Sequence, residues 1–331
     1  MIQPTGIGST GPRTPHPGPR TLKIDVILGG PGREADVSRK SGTAIAAALV
    51  RSGHDVLVVD LSGRLEPARL RTGAVVFNIV HGTYGEDGSL QAELDALGKS
   101  YVGSDAAVSA LCMDKERTKE VLAKAGIRVP WGVAVDLGKP FTTRDLKLPH
   151  HGPLVLKPRD DGSSVGLRMV PNPSFVLPAV EELLAEVGPR RYLIEERLPG
   201  PEYTCAVLDD GTGPRALPPI QVIPAAGVYD YQAKYLKDDT RYEPVTDPAL
   251  AERIGALAVA TFRACGCRDV ARADLMRTTD GDLAVLEVNT LPGFTDHSLT
   301  PKAAAAAGIG FDSLCSLLAG RAAARAGGAH G

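Results

Sequence analysis

Residues 271–289, ARADLMRTTDGDLAVLEVN, gather side chains that could hold a metal-bound phosphate. The stretch reads as two strands joined by a turn at Thr279-Asp280-Gly281, with Asp-Gly the strong turn signal. Side chains alternate across a strand, so Arg272, Asp274 and Met276 share one face of the first strand. Glu287 and Asn289 share a face of the second, and Leu286 and Val288 point away from it. If the two polar faces coincide, one wall carries two carboxylates, an amide oxygen and a guanidinium. Hard oxygen donors of that kind suit Mg²⁺, which usually keeps waters and substrate phosphates as well. The plain alternative is a half-exposed hairpin with solvated charges.

Other stretches carry compatible chemistry. Lys157-Pro158 ends an apolar strand over 154–158 and runs into a loop with Gly162, Ser163, Ser164, Val165 and Gly166. Gly and Ser in such a loop expose backbone N–H groups that can wrap phosphate oxygens, although the spacing is not that of a P-loop. The alternative is a plain hairpin connection. Lys115 falls in the first turn of a helix over 115–125 that Asp114 caps and Gly126 closes. A cation there opposes the helix dipole and suggests an anionic partner, the alternative being a solvated lysine. Glu195, Glu196 and Glu202 flank a hinge at Leu198-Pro199-Gly200-Pro201 and could hold an amino group and ribose hydroxyls, or simply be solvated strand ends.

These side chains need a scaffold, and the chain opens on one. A strand over 22–28, a helix over 37–51 and a strand over 55–61 form a βαβ start, which implies a parallel sheet. Gly30 to Ala35 fits a loose dinucleotide fingerprint, but Glu34 and Asp36 would oppose a pyrophosphate. Glu34 could instead receive a cationic group, or both acids could merely suit the helix N-terminus. A third strand over 74–80 ends at His81-Gly82-Thr83-Tyr84-Gly85-Glu86-Asp87-Gly88, a glycine-rich loop at the usual ligand position of an open α/β sheet. Ser89 is the expected cap of the next helix. Further on come a polar connector over 136–150, an amphipathic helix over 173–187 and a strand over 191–196. Residues 229–242 fit neither helix nor strand and read as a lid or binding loop. Asp247-Pro248 opens a helix reaching Cys265, and two Ala-rich helices end the chain.

With 43% hydrophobic and 23% charged residues, the 331-residue chain has enough apolar material for two or three cores. Lys+Arg 37 against Asp+Glu 39 gives no nucleic-acid signature, and the apolar runs are too short for a membrane span. Residues 1–20, rich in Pro, Gly and Thr, read as a disordered tail without a signal peptide's apolar middle. The five scattered cysteines fit free thiols in a reducing cytosol, so a cytoplasmic location is expected.

The motifs together resemble the D-alanine–D-alanine ligases of the ATP-grasp superfamily. The resemblance runs from about 22 to 319 through separated motifs in the family's order: Leu28-Gly29-Gly30, Val37-Ser38, His81-Gly82 with Gly85 to Gly88, Met113-Asp114-Lys115, Lys157-Pro158 with 162–166, Glu195 with Gly200-Pro201-Glu202, Tyr229-Asp230-Tyr231 with Ala233-Lys234-Tyr235, Arg272-Ala273-Asp274, Glu287-Val288-Asn289, and Pro292-Gly293 with Ser298-Leu299. It implies an α/β (α+β) ATP-grasp fold of three domains. These are an N-terminal Rossmann-like parallel sheet over 21–113, a central domain over 114–201, and a C-terminal domain over 202–331 with a lid at 225–243, the last two clasping ATP. Similar enzymes are homodimers, so a homodimer with small-molecule substrates, and neither nucleic acid nor membrane as partner, is expected.

The same resemblance implies roles. Asp274, Glu287 and Asn289 would hold two Mg²⁺ ions on ATP, with Mn²⁺ able to substitute. Lys115, Lys157, Gly162, Ser163, Ser164 and Val165 would bind phosphate, and Lys234 would reach the γ-phosphate from the lid. Glu195, Glu196 and Leu198 lie in the adenine-binding stretch, with Glu202 on ribose. Glu34, supported by Ser163 and Tyr235, would take the ammonium of the first D-alanine, and His81 would lie near its carboxylate. Arg272 and the Gly293 amide would stabilise the reacting carbonyl oxygen, while Ser298 and the Leu299 amide would hold the second substrate. The chain departs from the family at Asp36, often Glu, and at Gln232, a common Glu on the lid. Tyr235 favours an amine acceptor. Competing readings are a sibling ligase for another amino acid, a dehydrogenase built on 30–35, and a non-catalytic nucleotide binder. The dehydrogenase leaves Lys157, Asp274 and Glu287 unexplained.

Overall fold

The structure is a computed structural model that describes residues 21–142, 144–148, 151–162, 166–224, 240–295 and 297–328. The chain begins with the expected βαβ unit. Strand β1 (Lys23–Gly29) lies between β2 (Asp55–Leu61) and β3 (Val75–Asn78), all parallel. Helix α1 (Ala35–Arg51) buries Ser38, Ser41, Gly42, Ile45, Ala48 and Leu49, the i, i+3, i+4, i+7 stripe that a helix on a sheet requires. Helices α2 (Ser89–Ala96) and α3 (Ala106–Met113) follow. The expected Ser89 cap is corrected: Ser89 is the first helical residue, and its amide and that of Tyr84 donate to the two oxygens of Asp87.

After α4 (Lys115–Lys124) comes an antiparallel four-stranded sheet in the order β4 (Gly132–Asp136), β7 (Arg191–Glu196), β5 (Leu154–Pro158), β6 (Arg168–Val170). Helix α5 (Val176–Val187) covers it with Val176, Val180 and Leu183 against Leu154, Leu156, Tyr192 and Ile194. Each such large apolar side chain, fully buried, stabilises by roughly 1.5–3 kcal/mol. The third sheet has six strands. Five run in the order β11 (Arg241–Pro244), β10 (Ile220–Ile223), β8 (Glu202–Asp209), β12 (Val270–Arg277), β13 (Leu283–Asn289), and β9 (Pro214–Ala216) pairs with β8. Helix α6 (Pro248–Cys265) packs on one face, capped by Asp247. Leu122 of α4 packs into this same core. Helices α7 (Leu299–Ala306) and α8 (Phe311–Gly328) join the other face to the parallel sheet in one continuous core containing Ile24, Phe77, Leu208, Ile220 and Leu318.

Two expectations change here. The lid over 225–243 ends in regular structure, because Arg241–Pro244 is an edge strand on β10; residues 225–239, with Lys234 and Tyr235, lie outside the described residues. Leu286 does not point away from the polar wall. A register shift between Asp274 and Leu275 pairs Leu275 with Val285, and this bulge turns both Leu286 and Glu287 toward the cavity beside the hairpin.

Candidate active site

The hairpin is antiparallel with Arg272 opposite Asn289 and Asp274 opposite Glu287, so the polar faces do coincide. Asp274 is the centre of the wall. Arg272 grips it through two bonds of 2.9 and 2.8 Å, Thr204 Oγ1 donates to Oδ1 at 2.6 Å, and Asn289 Nδ2 donates to Oδ2 at 2.9 Å. Thr204 comes from β8, the strand beside β12.

Two cavities meet on this wall. The larger, about 470 Å³, lies between the four-stranded and six-stranded sheets. Val155 and Met169 form its apolar side on one sheet and Met276 and Leu286 on the other. Its polar lining includes Lys115, Lys157, Asp161, Gly162, Glu195, Glu196, Arg197, Glu202, Gln221, Asp274 and Glu287, with Leu198 at the hinge. Apolar walls from two sheets suit a flat ring, and the lysines and carboxylates suit phosphates and hydroxyls. The smaller cavity, about 250 Å³, is lined by Glu34, His81, Glu86, Arg272, Asn289, Gly293, Ser298 and Leu299. Gly162, Glu202, Val222 and Asp274 line both.

Buried charge in the larger cavity is organised by Glu195. Its two oxygens lie 2.7 Å from Lys119 Nζ and 2.8 Å from Lys157 Nζ. The Lys119 contact is close but poorly aligned as a hydrogen bond, so it counts as an ion pair. Burial works against the carboxylate, yet Lys119 and Lys157 together hold its pKa below the ordinary value. For Lys157 burial is likewise outweighed, by Glu195 and Glu287, and its pKa is raised. Burial prevails at Lys115, which is drawn down despite Glu287, and at Lys119, which is drawn down to about 8. Lys115 has the anionic neighbourhood its position suggested: Nζ donates to the Asp161 carbonyl at 2.6 Å and stands 3.8 Å from Glu287.

In the smaller cavity the acids at the start of α1 part company. Asp36 faces outward and pairs with Arg39 at 3.0 Å. Glu34 makes no cap bond to its helix, lines the cavity, and places Oε2 2.8 Å from where a Gly82 Cβ would stand. His81 is buried, with Nδ1 3.0 Å from Glu86 Oε1 and Nε2 buried without a partner. An unpaired buried ring nitrogen at a cavity wall is a ready ligand contact. The loop that presents it turns tightly at Gly85, where a Cβ would lie 1.7 Å from the Val80 carbonyl. Opposite, Gly293 approaches Ser298, whose Oγ accepts from the Thr295 amide at 2.9 Å, and Leu299, the first residue of α7, lines the cavity beside it.

Of the residues singled out from the sequence, Glu34, His81, Lys115, Lys157, Gly162, Glu195, Glu196, Leu198, Glu202, Arg272, Asp274, Glu287, Asn289, Gly293, Ser298 and Leu299 line the two cavities. Ser163, Ser164, Val165, Lys234 and Tyr235 lie outside the described residues. Sequence reasoning missed Lys119 and Thr204, and it placed Glu86 in the ligand loop without giving it a role. Lys119 had a signal, standing four residues after Lys115 on one helix face. Thr204 had none once β8 went unread.

Comparison with known proteins bears on the family and the fold. The family model described as D-ala D-ala ligase C-terminus matches residues 140–319. D-alanine–D-alanine ligase B of Chromobacterium violaceum is 40% identical over 298 residues, covering 88% of this chain and 95% of that protein. The crystal structure of the Bacillus anthracis D-alanine–D-alanine ligase superposes with a TM-score of 0.81 at 33% identity, covering 94% of this chain and 100% of that one. The same enzyme complexed with ATP superposes with a TM-score of 0.79 at 32% identity and the same coverage. By motif order, fold and similarity along nearly its whole length, the chain belongs to the D-alanine–D-alanine ligase family.

Proposed function

We propose that the protein is an ATP-dependent ligase that joins two D-alanines into D-alanyl-D-alanine for peptidoglycan precursor synthesis. The observation that carries this reading is the wall common to both cavities. Asp274, Glu202 and Gly162 line each of them, so a nucleotide in the larger would end beside a small zwitterion in the smaller.

The first D-alanine's carboxylate oxygen attacks the γ-phosphorus, the bond to the β–γ bridging oxygen breaks, and ADP leaves. The second D-alanine's neutral amine then attacks the acyl carbon, the bond from that carbon to the phosphate oxygen breaks, and the amine's proton passes to the departing phosphate. Glu34 receives the first ammonium and His81 stands near that substrate's carboxylate. Arg272 and the Gly293 amide face the developing oxyanion. Ser298 and the Leu299 amide, at a helix N-terminus, hold the second carboxylate. Lys115, Lys157 and the 162–166 loop bind phosphate, Glu195, Glu196 and Leu198 the adenine, and Glu202 the ribose. Ser163 and Tyr235 would support Glu34, Lys234 on the lid would reach the γ-phosphate, and a closed lid would keep water from the acyl phosphate.

Asp274, Glu287 and Asn289 would hold Mg²⁺. Their donors are hard oxygens, two carboxylates and an amide oxygen on facing strands, of the kind that suits Mg²⁺ together with phosphate and water. Bound there, the ion would neutralise phosphate charge. The two-pronged pairing of Arg272 with Asp274 must open for either residue to take its role. We further propose a cytoplasmic homodimer divided at 113/114 and 201/202.

The test is phosphate release by purified protein with ATP, Mg²⁺ and a panel of D- and L-amino acids, with products weighed by mass spectrometry. D-alanine should release phosphate and yield the dipeptide. Release with some other amino acid alone would move the reading to a sibling ligase, and no release with any would defeat it.

A further inference from the structure

Lys119 follows Lys115 by one helical turn along the inner face of α4. Its ammonium touches one oxygen of Glu195, which is 3% exposed, and Lys157 touches the other; Lys157 and Glu195 are among the residues lining the larger cavity and Lys119 is not. A buried carboxylate stripped of its cation is strongly unfavourable. With Lys157 as its sole partner, Glu195 would tether that lysine, and Lys157 could not turn to an incoming phosphate without stranding the charge. With a second ammonium on its other oxygen, Glu195 stays paired when Lys157 leaves.

We propose that Lys119 is a positioning residue for nucleotide binding, holding Glu195 by its other oxygen so that Lys157 is free to move to the phosphates. The proposal rests on the reading of the larger cavity as the nucleotide site. Lys119 meets Glu195, Lys157 and Glu287 as its charged neighbours, and at neutral pH it keeps its charge, since burial lowers it only to about 8.

The test measures ATP binding calorimetrically with Mg²⁺, and KM for ATP and for D-alanine, in wild type and Lys119→Met. ATP affinity should fall about tenfold or more, with the D-alanine KM within about twofold of wild type. A double-mutant cycle separates positioning from fold. Because Lys119 acts through Glu195, removing it in a Glu195→Gln background should cause no further loss of ATP affinity, and a further tenfold loss, roughly, would overturn the proposal. If a variant fails to fold, wild type crystallised with a non-hydrolysable ATP analogue decides. Lys119 should remain within about 3 Å of Glu195 while Lys157 contacts phosphate. Lys157 still on Glu195, or Lys119 gone from it, would overturn the proposal. Equal ATP affinity in wild type and Lys119→Met overturns it alone. A wild type that binds no ATP overturns the nucleotide reading and this proposal with it.

Discussion

Glu195 shows at the scale of one residue how the cavity sets its charge. Desolvation favours the neutral acid, and two ammonium groups within 2.8 Å reverse that preference. A carboxyl whose folded pKa lies below its unfolded value of 4.5 stabilises the fold fully above that pH and loses the contribution as pH falls through the folded value. Glu195→Gln should therefore lower the melting temperature at neutral pH, because it leaves two buried ammonium groups without their carboxylate, at a cost of about 3 kcal/mol or more. The gap to wild type should narrow as pH falls below 4.5 and through the lower folded value. Thermal melts across that range check this, and a gap that stays constant would sink it. The residue types are legible in the sequence: Asp274, Glu287 and Lys157 stand out by their chemistry alone. That Glu195 holds two lysines was not legible, because Lys119, Lys157 and Glu195 come from three different elements.

Helix α4 shows the same limit one level up. Its bounds and its Asp114 cap follow from local sequence, and the Asp114 side chain accepts from the Arg117 amide at 3.1 Å as a cap should. The same carboxylate also receives Arg159 Nε at 2.8 Å, and the Lys115 amide donates to the Arg159 carbonyl at 3.0 Å. The helix that carries Lys115 is thus stapled to the loop that follows Lys157. Asp114→Ala should cost about 1–3 kcal/mol of stability and raise the KM for ATP more than that for D-alanine. Asp114→Asn keeps the cap, and should recover most of the stability while the KM stays raised. Steady-state kinetics with denaturant melts separate the two effects. Strand β8 is the contrary case. Its residues are buried on both faces, so period-2 alternation is lost, and the central strand of the largest sheet was passed over in favour of the hinge before it.

Across the whole molecule the cores are unequally shared. The parallel sheet and the six-stranded sheet are fused through one set of buried side chains, closed by α7 and α8. The four-stranded sheet has a core entirely its own, from Val135 to Ile194. A unit with a private core can open without disturbing its neighbours. Amides of β5 and β7 should exchange at lower denaturant than those of β1 and β8 in native-state hydrogen exchange, and ATP should narrow the difference by bridging the cavity between sheets. Identical exchange isotherms for all four strands would refute independent opening.

By itself the amino-acid sequence determined which chemistry was available and most of the local elements, since caps, turn residues and hydrophobic periods act over a few positions. β2, β5, β7 and α6 have the limits expected of them. Tertiary structure alone decided that Asp274 would be encircled by Arg272, Thr204 and Asn289, and that a bulge would turn Leu286 into the cavity. The reason is physical: strand pairing and charge burial join residues from distant elements, and no local pattern specifies which side chain another element will bring against them.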